Sequence, residues 1–477
     1  MRSPRTLAAA VASVAAITVL ARIAGFGRTF ALSKTVGDNC LGAVYTTANL
    51  VPNVLFEVVA GGMLAGALVP VLAPALAAGT AEGRERASRT ASAVLTWTVL
   101  VLAVAAALTA LLAGPVTRLL LGGAAADCAG AAAAAEAMLL VFLPQVPLYG
   151  LAVVLGGALQ AQRRFTASAA APLVSSLVVT AAYLGFAVLL PAGVARHASP
   201  DAVPPGALAV LSWGTTAGVL AMVVTHVPAL RSQIRWRPAL RPAPGDGTRL
   251  RGLALAGLAV LLAQQAVTLA TARLSNAGGD EGAVVRWSFA WALFLLPYAV
   301  LAVPVAMAVF PRLAAAAGRE DPGVAPLVAG TSRAVVLAGS AVPAALPGAA
   351  TPVALVFVLG GPGSGRSADL AGALVVFAPA LLGYGLTALL VRALYAVGRG
   401  RAAAGAAVTG WAVVLLAALV LTRLLPPGRV VTALAAAHAI GLTVGALLLA
   451  RAVRAACGPP AVAGLARASG AGALAAL

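Results

Sequence analysis

Charge is scarce in this sequence, and acid is scarcer than base. Only 9% of the 477 residues are charged, with 13 Asp and Glu against 32 Lys and Arg. A soluble domain carries about 25% charged residues, so a chain wetted over its whole surface is excluded. Lysine is nearly missing, with Lys34 its one occurrence. No Gly-x-x-x-x-Gly-Lys-[Ser/Thr] loop exists, which excludes a phosphate-loop nucleotide site within this polypeptide. Gly361-Pro362-Gly363-Ser364-Gly365 matches such a loop in glycine content alone and reads as a flexible turn. Cysteine is limited to Cys40, Cys128 and Cys457, an odd number, far apart, with no Cys-x-x-Cys spacing. That pattern supports neither a disulfide framework nor zinc. His197, His226 and His438 are isolated and read as loop or helix-end residues. No nucleophile–base pair or paired carboxylates stand out. The expectation is therefore a protein that is not an enzyme and has no cofactor and no metal site.

What is present is apolar sequence. Hydrophobic residues make up 61% of the chain and are spread along its whole length. A membrane-crossing helix needs about 20 such residues. Runs of that kind fall near 7–33, 44–78, 91–113, 135–161, 167–191, 206–229, 252–275, 284–315, 333–358, 369–397, 402–423 and 430–453. The expected fold is an all-α polytopic membrane protein with about twelve transmembrane helices. The apolar character after Met1-Arg2-Ser3-Pro4-Arg5 continues past Arg22, so an uncleaved first helix is expected rather than a signal peptide.

The net charge of +19 would suggest nucleic acid in a soluble protein. Here the basic residues sit in short loops without interleaved aromatics, so nucleic acid is not an expected partner. Arg84, Arg86, Arg89, Arg163, Arg164, Arg235, Arg237, Arg241, Arg312, Arg399 and Arg401 crowd alternate loops, while the intervening loops hold far fewer. Loops rich in Lys and Arg stay cytoplasmic, which puts both termini in the cytoplasm.

The chain divides at an Arg- and Pro-rich connection. The expected organisation is an N-terminal six-helix lobe over 1–230, a cytoplasmic linker over 231–251, a C-terminal six-helix lobe over 252–453 and a Gly/Ala-rich tail over 454–477. The lobes are related by an internal repeat. Val141-Phe142-Leu143-Pro144, Tyr149-Gly150-Leu151, Ala158-Leu159 and Arg164 recur as Val376-Phe377-Ala378-Pro379, Tyr384-Gly385-Leu386, Ala393-Leu394 and Arg399 at one constant offset. An even number of helices per lobe makes the repeats parallel, which places a shared site near mid-membrane.

Two arginines, Arg22 and Arg28, and a glutamate, Glu57, lie in apolar sequence within the stretch Ala21–Gly79. Charge at membrane depth is costly and marks substrate or ion paths. Arg22 and Arg28 point about 120° apart on an ideal helix, but Gly25 and Gly27 loosen it. Guanidinium groups bind phosphate in a bidentate way and remain charged when desolvated. The pair reads as a cationic pocket for a phosphate-bearing substrate, the alternative being snorkelling to a headgroup. Glu57, which follows Pro52-Asn53, is open between a structural ion pair with either arginine and a role in coupling. Arg392 adds a second positive wall or snorkels beside Arg399. Gln145, Gln160 and Gln264-Gln265 read as interhelical hydrogen-bonding groups. Arg273, Asp280, Glu281 and Arg286 read as an exposed charge cluster around an external loop.

Together these motifs resemble the MurJ/MviN lipid II flippases, of the multidrug/oligosaccharidyl-lipid/polysaccharide exporter superfamily. The resemblance rests on Arg22-Ile-Ala-Gly-Phe-Gly-Arg28, Leu50-Val-Pro-Asn53, Gly61-Gly62, Leu68-Val-Pro-Val-Leu72, Gln160-Ala-Gln-Arg-Arg-Phe165, Leu296-Pro297-Tyr298 with Phe310-Pro311-Arg312-Leu313, and Leu390-Val-Arg392-Ala-Leu-Tyr395. It implies two six-helix lobes in a V shape, moving lipid II from the inner to the outer leaflet of the plasma membrane by alternating access. The implied substrate is undecaprenyl-pyrophosphate-linked, and Arg22 and Arg28 match arginines held to contact the pyrophosphate. The substrate-binding residues implied are Arg22, Arg28, Asn53, Glu57 and Arg392. Membrane lipid, and cell-wall synthesis proteins, are the further partners implied. Thr29 stands where better-known members carry an acidic residue, and Ala292 where they carry arginine. The alternatives are a multidrug or other lipid-linked oligosaccharide exporter, or a non-transporting paralogue in a cell-wall complex.

Overall fold

The structure is a computed structural model that describes residues 4–59, 63–122, 128–191, 199–227, 234–318, 323–363 and 366–474. Among the described residues it is helical, with a single β-bridge between Asp38 and Gly363. Ten helices are long and apolar enough to cross a membrane, or eleven when one bent pair counts as a span. The all-α polytopic class is therefore observed, and the expected twelve spans are not reproduced one for one.

The contacts divide the chain into two compact units. The first comprises residues 1–258 with 361–363, and the second comprises 259–360 with 364–477. The first unit begins with α1 (Pro4–Thr35), α2 (Cys40–Val59), α3 (Met63–Ala77), α4 (Ala81–Leu111) and α5 (Ala113–Leu121). It continues with α6 (Ala131–Phe142), α7 (Gln145–Ala161), α8 (Phe165–Leu189) and α9 (Pro205–Val224). Helix α10 (Asp246–Gly278) begins in this unit. The expected span 44–78 is two helices, α2 and α3; Gly61-Gly62 lies outside the described residues.

The connection expected over 231–251 is organised from residue 234 onward. Residues 234–239 form no helix and run along α4. Ser88 Oγ accepts from Arg235 N at 3.0 Å, Ser92 Oγ from Arg237 N at 3.1 Å and Thr96 Oγ1 from Ala239 N at 3.4 Å. The match is geometric. Four helical residues rise about 6 Å, and two extended residues advance about 6.6 Å. A hydroxyl at every fourth helix position thus meets every second amide of the strap. Trp97 Nε1 donates to Leu240 O at 2.8 Å, and Ile234 is buried among Leu68, Leu72, Ala87, Val154 and Ala158. At the end of the strap Asp246, the first residue of α10, accepts from Arg86 at 2.6 Å and from Thr90 Oγ1 at 2.8 Å.

The second unit contains the rest of α10, then α11 (Ala283–Pro297), a π turn (Tyr298–Ala302), α12 (Val303–Ala317), α13 (Val324–Val358) and α14 (Ser367–Phe377). It ends with α15 (Ala380–Ala396), α16 (Gly400–Leu424), α17 (Val430–Cys457) and the short α18 (Leu465–Leu474). The expected span 284–315 is broken at the π turn. Pro304 has no N–H to close the ladder onto Val300, and the helix widens there. Helices α16 and α17 approach through glycine. A side chain at Gly410 would meet Gly445 Cα at 3.0 Å and Gly441 O at 3.2 Å, which is the small-xxx-small packing of membrane helices. The start of α17 is capped from outside. The buried Asp369 carboxylate accepts from Val431 N at 3.2 Å and Thr432 N at 3.0 Å, placing negative charge on orphan amides at the positive helix end.

The internal repeat is visible at the ends of α7 and α15. Arg164 N donates to Leu159 O at 2.9 Å, and Arg399 N donates to Leu394 O at 2.8 Å. Both are six-to-one bonds that close a helix with a left-handed residue just before the donor. That residue is Gly398 in the second unit, at φ 71°, and Arg163 in the first, at φ 59°. Glycine adopts this conformation freely, whereas a residue with a Cβ is strained there by about 1 kcal/mol.

Candidate functional site

Arg28 is half-buried on α1, and its charge acts on the hydroxyls of Tyr45, Tyr149 and Tyr183. These tyrosines come from α2, α7 and α8. Tyr45 is 2% exposed, and its hydroxyl lies 2.9 Å from that of Tyr183 and 2.9 Å from Thr215 Oγ1 on α9. The ring of Tyr45 meets those of Phe142 and Tyr183 edge-on, with centroids 5.7 and 5.9 Å away. Tyr149 packs on Phe56 at 4.7 Å. The field of the guanidinium thus reaches a group of buried hydroxyls in the first unit. Among the described residues no carboxylate forms an ion pair with Arg28 or Arg22. A cation without a protein counter-charge in an apolar bundle favours an anionic guest.

The other expected site residues are placed less closely. Arg22 is exposed on α1, about one and two-thirds turns before Arg28. Asn53 is turned onto its own helix, its amide donating to Asn49 O at 2.8 Å. Glu57 is exposed on α2 and makes no ion pair with either arginine among the described residues. Arg392 is described within the second unit, where it donates to Ala388 O at 2.6 Å and its charge acts on Tyr298. The ring of Tyr298 lies tilted against that of Tyr384, the repeat counterpart of Tyr149, with centroids 4.3 Å apart.

Sequence reasoning passed over Tyr45, Tyr183 and Thr215. The available signal was Tyr183 standing inside an apolar run of a chain with only six tyrosines. Gln145 behaves as expected for an interhelical group. It is fully buried, and its Nε2 donates to Thr216 Oγ1 at 3.0 Å.

Three expectations are corrected. Cys40 and Cys128 form a disulfide with Cα atoms 6.3 Å apart, tying the start of α2 to the turn before α6. Separation in sequence concealed a pair that the fold brings together. His438 is not a helix-end residue. It lies within α17, 3% exposed, against Trp287, Trp291, Phe377 and Trp411. His226 does sit just past the end of α9, and His197 lies outside the described residues. The charges around the α10–α11 connection are not an exposed cluster, because Arg286 is fully buried. It pairs with Asp280 and donates to Glu281 O at 3.0 Å, while Arg366 pairs with the other oxygen of Asp280. An arginine so buried needs a charged partner.

The fold and its long apolar helices define a class, the multi-pass helical membrane proteins. Solved structures of that class align over nearly the whole chain. A structure described as lipid II flippase MurJ in an inward closed conformation has a TM-score of 0.74 and 16% identity, covering 97% of this chain and 96% of its own. An inward-facing multidrug resistance MATE family transporter of the MOP superfamily has a TM-score of 0.73 and 14% identity, covering 93% and 94%. At such identities the likeness shows the fold alone. The lipid II flippase MurJ family model matches residues 32–474, and the chain belongs to that family. A curated relative from Rhizobium meliloti (strain 1021), a probable lipid II flippase MurJ, is 26% identical over 309 residues. That match takes in 64% of this chain, which spans about half, 54%, of the relative's length. The family is one of flippases rather than enzymes.

Proposed function

We propose that this chain is a lipid II flippase of the plasma membrane, carrying the lipid-linked peptidoglycan precursor from the inner to the outer leaflet by alternating access, with both termini in the cytoplasm. The observation that carries this is the family match over 32–474. The site chemistry supports it. Arg28, which forms no ion pair among the described residues, is a suitable partner for a diphosphate. In this proposal Arg22 and Arg28 capture the diphosphate and Arg392 contributes from the second unit. Asn53 and Glu57 line the path without a carboxylate–arginine pair to neutralise it. Cell-wall synthesis proteins are the proposed partners.

The test is rescue of cells depleted of their own lipid II flippase, scored by growth and by lipid II exposed on the outer leaflet. The native chain should rescue, and Arg22→Ala combined with Arg28→Ala should not, at equal membrane abundance. Failure of the native chain to rescue overturns the function, while rescue by the double variant overturns the site. The MATE-like fold motivates a drug-efflux assay in a sensitised strain, where efflux without rescue would favour the multidrug exporter instead.

A further inference from the structure

A cavity of about 620 Å³ in the first unit lies between α3 and the end of α7, away from the residues proposed above for the substrate. Its walls are Val69, Pro70, Ala73, Pro74, Leu76 and Ala77 on one side and Ala161 on the other, with Gln162 and Arg163 at the turn. The lining is apolar along its length and cationic at one end, and it holds no carboxylate. Beside it Arg164 is exposed, and Phe165 is 46% exposed as an aromatic anchor of the kind found at membrane interfaces.

Arg163 is the informative residue. The same helix-ending turn exists twice in this protein, and the second copy uses Gly398 at the left-handed position. Arg163 keeps the strained conformation where glycine would relieve it. Strain held at a ligand-lining position points toward function. The two motifs that frame the cavity, Leu68-Val-Pro-Val-Leu72 and Gln160-Ala-Gln-Arg-Arg-Phe165, are also not used by the proposed substrate site.

We propose that this cavity binds one anionic phospholipid of the cytoplasmic leaflet, its phosphate on Arg163 and its first acyl carbons against the proline face of α3. The assignment to that leaflet rests on the orientation proposed above, and the binding itself does not. A water-soluble anion would leave the apolar wall unused. An acyl chain alone would not need arginine in place of glycine. Around this end of the unit Arg84, Arg86, Arg89, Arg163 and Arg164 outnumber Glu82, Glu85 and the Asp246 that pairs with Arg86, so the local field favours an anionic headgroup over a zwitterionic one.

The experiment compares melting temperatures of the full chain in phosphatidylcholine nanodiscs with and without phosphatidylglycerol, alongside lipid retention by native mass spectrometry. Both leaflets have the same composition, so neither orientation nor lipid II transport affects the outcome. Phosphatidylglycerol should raise the melting temperature of the native chain. Arg163→Gly should melt higher than the native chain in phosphatidylcholine, because its backbone relaxes, yet retain phosphatidylglycerol about tenfold less well, the worth of one charge-assisted hydrogen bond. Ala77→Phe, which narrows the cavity without altering charge, should also abolish the rise, and Arg89→Ala should preserve it. An equal rise in Arg163→Gly overturns the proposal. So does an equal loss in Arg89→Ala, which would mean diffuse attraction, and so does an equal rise with inorganic phosphate in place of the lipid.

Discussion

The hydroxyl of Tyr45 bridges two helices, lying 2.9 Å from the hydroxyl of Tyr183 and 2.9 Å from Thr215 Oγ1. The two tyrosines are not equivalent in this arrangement. Thr215 also donates to Leu211 O at 2.8 Å within its own helix, whereas the Tyr183 hydroxyl meets that of Tyr45. Tyr45→Phe should therefore cost about 1–2 kcal/mol and Tyr183→Phe about 1 kcal/mol or less. Thermal unfolding in detergent of the two single variants and the double variant measures this. An order with Tyr183→Phe the more damaging would contradict the network. Both variants should also weaken rescue by flippase-depleted cells more than their stability loss explains, because these hydroxyls lie within the field of Arg28.

The strap on α4 gives a prediction of a different kind. Ser92 Oγ accepts from Arg237 N at 3.1 Å and lies 3.4 Å from Arg235 O, so it serves the strap at two points. Ser92→Ala should cost about 1 kcal/mol. Hydrogen exchange should show the loss locally, with faster exchange at Arg237 and little change in the second unit. Ser92→Thr keeps the hydroxyl and should retain most of the protection.

Much of the fold was legible in the sequence because apolar length is a strong and simple signal. Runs such as 167–191 and 402–423 became α8 and α16 with shifts of only a few residues. The breaks were harder to read. Pro52 stays inside α2 and Pro343 inside α13, while Pro304 sits just after a π turn; the same residue type has different outcomes because neighbouring helices decide which freed carbonyls are satisfied. At the candidate site the arginines were legible, since charge in apolar sequence is conspicuous. Tyr45 and Tyr183 were not, because only the fold brings residues 45, 183 and 215 together. Arg286 was misjudged because its neighbours in sequence, Asp280 and Glu281, suggest a wet loop. Its burial depends on contacts from remote helices.

The cysteines can be counted chemically. With Cys40 and Cys128 joined, Cys457 is the remaining thiol. Alkylation of the denatured, unreduced chain should modify one cysteine, and alkylation after reduction should modify three. The bond closes a loop across a sequence separation of 88 residues, for which chain entropy suggests about 4–5 kcal/mol as an upper figure. Cys40→Ser and Cys128→Ser should lower the melting temperature by similar amounts, and the double variant should lose no more than either alone. Additive losses would mean that the two residues act separately.

Arg286 and Arg366 share one carboxylate but should differ sharply on removal. The side chain of Arg286 is 0% exposed, that of Arg366 is 53% exposed, and Asp280 between them is 11% exposed. Removing an exposed partner loses little, because water screens the pair and replaces its hydrogen bonds. Arg366→Ala should therefore cost less than about 1 kcal/mol. Removing the buried partner vacates the space of the guanidinium, takes away its bond to Glu281 O and strips Asp280 of its buried ion-pair partner. Arg286→Ala should cost about 3–5 kcal/mol. Arg286→Met fills the space without the charge and separates the two contributions. If its cost approaches that of Arg286→Ala, the ion pair and hydrogen bonds dominate; if it falls near that of Arg366→Ala, packing dominates. The charge arithmetic favours the first outcome, since Arg286 also lies in the field of the buried Asp369 that caps α17, and methionine would leave that carboxylate with backbone and Thr432 donors alone. Amide exchange at Val431 and Thr432 should therefore accelerate in Arg286→Met and stay unchanged in Arg366→Ala.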